Sequence, residues 1–135
     1  MTLYFCLDIR GGMAFNHRRQ SRDWAVLADI RSRLEGNLHI DPISRRLMET
    51  VEIPFCYAPA EITEGMEAFH FFVEDRIPGD WVGFASTVVL YHWNRHYPAD
   101  QFFTIDLPAM GFALAERVDF PGTSHETITR EVYVK

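Results

Sequence analysis

Apolar and polar positions along the chain fall into short blocks with two periods. Leu3 to Ile9 is an apolar run closed by Arg10-Gly11-Gly12, which predicts a buried strand followed by a turn. From Ser21 the period becomes helical: Val26, Leu27, Ile30 and Leu34 share a face, Ser21 is expected to cap, Asp23 to complement the dipole, and Gly36 to stop the helix. Asn37 to Ile40 reads as a second short strand. Asp41-Pro42 then opens another helix with Ile43 and Leu47 spaced four apart and Arg45 and Arg46 outside. The start is therefore βαβα.

Thr50 to Tyr57 alternates Val51, Ile53, Phe55 and Tyr57, and Pro54 assigns that strand to a sheet edge or bulge. Ala68 to Val73 and Ser86 to Trp93 are continuous apolar runs of the kind that central parallel strands show. Arg76 to Asp80 is a turn, and Trp81 to Ala85 is too short to assign. Phe112, Leu114, Val118 and Phe120 share one face of a strand, Pro121-Gly122 turns the chain, and Thr127 to Val134 alternates again. The last third reads as antiparallel strands.

At 135 residues with 47% hydrophobic and 24% charged positions, the chain suits one compact domain, residues 1–135, and is far from a disordered composition. No apolar run is long enough for a membrane span, and the N-terminus carries no charged, leader-like region, so a cytoplasmic protein without a membrane partner is expected. Cys6 and Cys56 lie in apolar runs without partners at metal-ligand spacing and are expected to be buried free thiols. The net charge of −6 is unevenly spread. Arg10 to Arg46 holds eight arginines against Asp23, Asp29, Glu35 and Asp41, a balance of +4, whereas Leu47 to Tyr91 stands at −7. Twelve of the thirteen basic residues are Arg, the better fork for phosphate and carboxylate.

The order of elements and several phrases resemble dihydrofolate reductase. Tyr4 to Met13 looks like that family's first strand and the start of its mobile substrate loop, Trp24 to Leu34 like the helix after it, and Tyr97 to Phe103 with Phe112 to Phe120 and Thr129 to Tyr133 like its GDTxFP turn and final hairpin. The resemblance implies an α/β fold: a mostly parallel sheet with an antiparallel C-terminal hairpin, flanked by helices. It also implies that Asp23 stands where the family contacts a pterin. Where that family has a Gly-Gly pair against its cofactor's pyrophosphate, this chain has Phe72-Val73-Glu74-Asp75, two carboxylates that repel it, so no cofactor is expected.

The segments Asn16-x-Arg18-Arg19-Gln20-Ser21-Arg22-Asp23, Trp93-Asn94-Arg95-x-Tyr97-Pro98-Ala99-Asp100 and Gly122-x-Ser124-His125-Glu126-x-Ile128-Thr129 also resemble short bacterial proteins that carry the label ribonuclease Z. That label implies a metallo-β-lactamase fold with a His-x-His-x-Asp-His zinc cluster. The sequence contains no such cluster, and no metal site is expected.

The same three segments hold the candidate chemistry. Asn16, Arg18, Arg19 and Arg22 precede a helix N-terminus, where free amides and the dipole favour an anion, and Asp23 follows them. Trp93, Asn94, Arg95 and Tyr97 mix stacking, amide and guanidinium groups, a set that suits a base and its phosphate. His125 beside Ser124 is the candidate general acid or base; Ser124 is not expected to form a triad with it, because chain neighbours rarely present both groups to each other. In a reductase-like topology the three loops share one side of the molecule. The expected function is binding of a small anionic, nucleotide-like ligand, with RNA as a further partner. The alternatives are metal-independent phosphodiester cleavage through His125, a degenerate reductase, and a protein-interaction module using the acidic half.

Overall fold

The computed structural model describes every residue from Met1 to Lys135. The two longest apolar runs become its central strands, β1 (Thr2–Leu7) and, in final numbering, β7 (Thr87–His92), paired in parallel from Thr2 opposite Thr87 to Leu7 opposite His92. With β4 (Leu38–Ile40), β5 (Phe55–Tyr57), β6 (His70–Phe72), β9 (Ala113–Phe120) and β10 (Ile128–Val134) they form a seven-stranded sheet in the order β5-β4-β6-β1-β7-β10-β9. The first five strands in that order are parallel, and β10 runs antiparallel to both β7 and β9. This is the expected mostly parallel sheet ending in an antiparallel hairpin.

The period-two alternation of strand side chains divides the core into two layers. Leu3, Phe5, Leu7, Val88 and Leu90 bury one face against Trp81 and Val82 of α3 (Gly79–Val82). Tyr4, Val89, Tyr91 and Phe72 bury the other against Val26, Leu27 and Ile30 of α1 (Trp24–Ser32) and Leu47 and Met48 of α2 (Arg45–Val51). No helix is long and apolar enough to cross a membrane.

Several boundaries differ from the sequence expectation. Asp23, not Ser21, caps α1, accepting from the Ala25 amide, and α1 ends at Ser32, four residues before Gly36. Thr50 and Val51 close α2, so the edge strand keeps only Phe55–Tyr57; the αL conformation of Glu52 ends the helix before Pro54. Asp41-Pro42 opens a single 3-10 turn over Pro42–Ser44, and α2 follows it. Leu114 and Val118 are exposed because β9 is the outer strand. Cys6 and Cys56 are free, and each is only partly buried.

One sheet was not foreseen. β2 (Gly12–Phe15), β3 (Arg18–Arg19) and β8 (Gln101–Phe102) form a small antiparallel sheet in the order β3-β2-β8. The β2–β3 connection is the two-residue turn Asn16-His17, both residues at positive φ, the backbone twist that tight hairpins require. It lays the Arg-rich segment beside the carboxyl ends of the parallel strands.

Candidate functional site

In open α/β sheets the crevice outside the carboxyl ends of the strands is the natural ligand position. Here β1 runs out into Asp8, β6 into Glu74 and β7 into Trp93-Asn94-Arg95, and the small sheet folds over them. All three loops singled out in the sequence meet at this end. Gln20 Nε2 donates to Asp8 Oδ2 at 3.0 Å and to the Pro98 carbonyl at 3.2 Å, and the Asn16 amide donates to Asp100 at 3.0 Å.

The deepest part of the cluster is built on Asp23 and His125. Asp23 is 1% exposed and accepts the amides of Ala25, Thr123, Ser124 and His125, the Thr123 hydroxyl, and His125 Nδ1 at 3.0 Å. Burial pushes its carboxyl up, but the Thr123 and Ser124 amides, the His125 ring and the Ala25 amide outweigh it and hold the group far below the usual carboxylate range. With Nδ1 donating to that carboxylate, Nε2 of His125 is the acceptor of the ring. It faces the Tyr97 hydroxyl at 2.8 Å and Ser21 Oγ at 3.3 Å, and those two hydroxyls are 3.3 Å apart. The indole of Trp93 covers the imidazole face to face, centroids 4.5 Å apart at 18°.

Next to this core sits an ion-paired plug. Arg19 grips Glu74 through two bonds of 2.5 and 2.6 Å, and the Ser44 hydroxyl donates to the same carboxylate at 2.6 Å. His17 reaches Asp75 at 2.9 Å. The space bounded by Cys6, Leu27, Phe72 and the Arg19–Glu74 pair has a volume of about 10 Å³, room for roughly one water. Asp8 is a further buried carboxylate; burial raises its pKa, but the Gly12 and Arg10 amides and Gln20 outweigh this and lower it.

The expected site residues therefore separate into two groups. Trp93 is buried at 3% exposure beneath His125, which corrects its expected use as an open surface for a base. The guanidinium of Arg19 is taken by Glu74 rather than left for a phosphate. His125 is a buried hub at 4% exposure, and Ser124 contributes only its amide to Asp23. Asn94 holds an αL backbone and donates to the Thr127 carbonyl and the Thr129 hydroxyl, while Asn16 is the hairpin tip. Arg18, Arg22 and Arg95 stand exposed with no carboxylate within 4.0 Å; Arg22 lies over the Trp24 ring.

Sequence reasoning missed Ser21 as a partner of His125, and it missed Gln20, Ser44 and Asp8. Asp8 alone was marked, as a carboxylate closing an apolar run; Gln20, Ser21 and Ser44 lie in polar segments where nothing local set them apart. Gln20 Oε1 is buried without a donor, and flipping the amide would turn the carbonyl oxygen against the Asp8 carboxylate. No grouping of three or more His, Cys, Asp or Glu is arranged to hold a metal ion. The largest surface hollow, about 620 Å³, is lined by Ile62, Arg76, Ile77, Trp81 and Phe84 and includes none of the loop residues above.

No protein-family model and no curated protein sequence matches the chain. Among solved structures it is similar to dihydrofolate reductase from Enterococcus faecalis, complexed with NADP(H) and RAB-propyl, at 11% identity and a TM-score of 0.66, over 98% of this chain and 94% of that one. The chain has the dihydrofolate reductase fold.

Proposed function

We propose that this protein uses the reductase fold to bind a small anionic, nucleotide-like ligand on the loop cluster at the carboxyl ends of the sheet, without hydride-transfer chemistry. The observation that carries the reading is the set of three exposed arginines, Arg18, Arg22 and Arg95, that stand on the converging loops without a carboxylate partner. Guanidinium forks without a carboxylate partner favour a phosphate or carboxylate. The donor-less Gln20 Oε1 supports the same place, since a ligand N–H or O–H would satisfy it.

The residues present do not fit a nicotinamide cofactor or a pterin. The backbone after β6 carries Glu74 and Asp75, bonded to Arg19 and His17, where a pyrophosphate needs glycine amides, and α3 behind them is a single turn of four residues. Both oxygens of Asp23 are already engaged by protein donors. Phosphodiester cleavage by direct contact of His125 with a substrate is also disfavoured, because Trp93 covers the ring and the side chain is only 1% exposed.

Calorimetric titration with adenosine monophosphate and with inorganic phosphate tests the reading. Arg22→Ala and Arg95→Ala are expected to weaken binding by about 1.5 to 3 kcal/mol each, roughly 10- to 150-fold, with Lys at either position restoring only part. Native protein that takes up neither anion, or variants with unchanged affinity, would reject it.

A further inference from the structure

We infer that Ser21 is a nucleophile activated by the His125–Asp23 pair, and that the chain carries a site for hydrolysing small carboxylic esters with an anionic group. Three observations meet here. Ser21 is released from structural duty, because Asp23 caps α1 in its place. The buried Asp23 carboxylate fixes His125 as the Nδ1–H tautomer, which leaves the Nε2 lone pair facing the Tyr97 hydroxyl at 2.8 Å and Ser21 Oγ at 3.3 Å. Ser21 is only partly buried, whereas the side chains of Asp23 and His125 are 0% and 1% exposed. Nucleophile at the surface, base behind it and a buried carboxylate orienting the base is the arrangement that serine hydrolysis requires, whatever the fold.

The step balances without a co-reactant other than water. Ser21 Oγ bonds to the ester carbonyl carbon while its proton passes to His125 Nε2. The C–O bond to the alcohol then breaks, and the alcohol leaves with that proton. Water, deprotonated by the same nitrogen, attacks the acyl-serine, releasing the acid and restoring Ser21. Asp23 steadies the imidazolium that forms in each half. The Tyr97 hydroxyl, 2.8 Å from His125 Nε2 and 3.3 Å from Ser21 Oγ, is released from that nitrogen once it has taken the Ser21 proton and then donates to the oxyanion. Arg22 sets the substrate class by favouring an ester with a carboxylate or phosphate elsewhere; in that one respect the inference rests on the anion-binding reading.

Labelling with phenylmethylsulfonyl fluoride followed by peptide mass mapping tests the nucleophile alone, since the reagent is uncharged and makes no demand on the arginines. The expected result is one sulfonyl group per chain on Ser21, absent in Ser21→Ala, a substitution that removes only two long hydrogen bonds. With 4-nitrophenyl acetate and mono-4-nitrophenyl succinate as substrates, Tyr97→Phe is expected to lower kcat by on the order of a hundredfold with KM little changed. Arg22→Ala is expected to abolish the preference for the succinate ester, read as the ratio of kcat/KM for the two esters. Native protein that takes up no label, a label on another residue, or equal ester turnover in native and Ser21→Ala protein would overturn the nucleophile. Labelling at Ser21 without a succinate preference would overturn the anionic substrate class and leave the nucleophile standing.

Discussion

Asp23 shows how one side chain can hold an element and a distant turn at the same time. Its carboxylate caps α1 and gathers the amides of Thr123, Ser124 and His125 from a turn a hundred residues away. Donors aimed at a charged acceptor in a dry site favour the ionised form, so the folded pKa lies below the unfolded value of about 3.9. Asp8 is shifted in the same direction. For a group whose folded pKa is lowered, the stabilisation is complete above the unfolded pKa and is lost as pH falls toward the folded one. Urea unfolding is therefore expected to give a stability that is flat from pH 7 to about pH 5 and declines below it. Asp23→Asn is expected to lower stability at pH 7 by on the order of 3 kcal/mol and to flatten the acid decline. Parallel acid slopes in native and variant protein would show that the charge of Asp23 is not what the turn depends on.

At the scale of elements, the turn between β9 and β10 and the entry to β2 both need a glycine for room rather than for backbone freedom. A Cβ on Gly122 would lie 2.5 Å from Asp23 Oδ2 and from the His125 carbonyl, and one on Gly12 would lie 2.5 Å from Asp8 Oδ2. Asp23 and Asp8 thus each have a glycine pressed against the carboxylate so that backbone amides can close in. Gly83, at φ −58° with nothing near its absent Cβ, has neither constraint. Gly122→Ala is expected to cost about 2 kcal/mol or more, through displacement of the Asp23 network, while Gly83→Ala is expected to be neutral or to stabilise by up to about 1 kcal/mol. Thermal unfolding of the two variants side by side checks both. Pro121-Gly122 was legible as a turn from residue type alone. That its glycine presses on the carboxylate of Asp23 was not, since the contact joins positions far apart in the chain.

For the whole molecule, the question is whether a reductase fold carries reductase chemistry. Glu74 and Asp75 occupy the backbone after β6 and are bonded to Arg19 and His17 from the small sheet, so that end of the crevice is occupied by the chain's own ion pairs. Fluorescence titration with reduced nicotinamide cofactor is expected to show no binding in the micromolar range, the regime of about −8 kcal/mol. Micromolar affinity would mean that the Arg19–Glu74 plug opens at little cost.

Local period and residue type were enough for the features that depend on neighbours in the chain. The long apolar runs named the central strands, Pro54 named the edge strand, the helical spacing of Val26, Leu27 and Ile30 named the face of α1, and the polar blocks named three loops worth joining. The local pattern could not determine partners, because hydrogen bonds and ion pairs form between residues that it treats as independent. Whether Arg19 meets a ligand or Glu74, whether Trp93 faces solvent or His125, and whether Ser21 caps a helix or faces an imidazole were decided by the parallel sheet, which delivers β1, β6 and β7 to one end. Burial there makes an unpaired charge costly, so the carboxylates of Asp8, Asp23 and Glu74 are each matched to donors that the topology supplies. Arg18, Arg22 and Arg95 remained on the solvent side of that end, where no such demand acts on them.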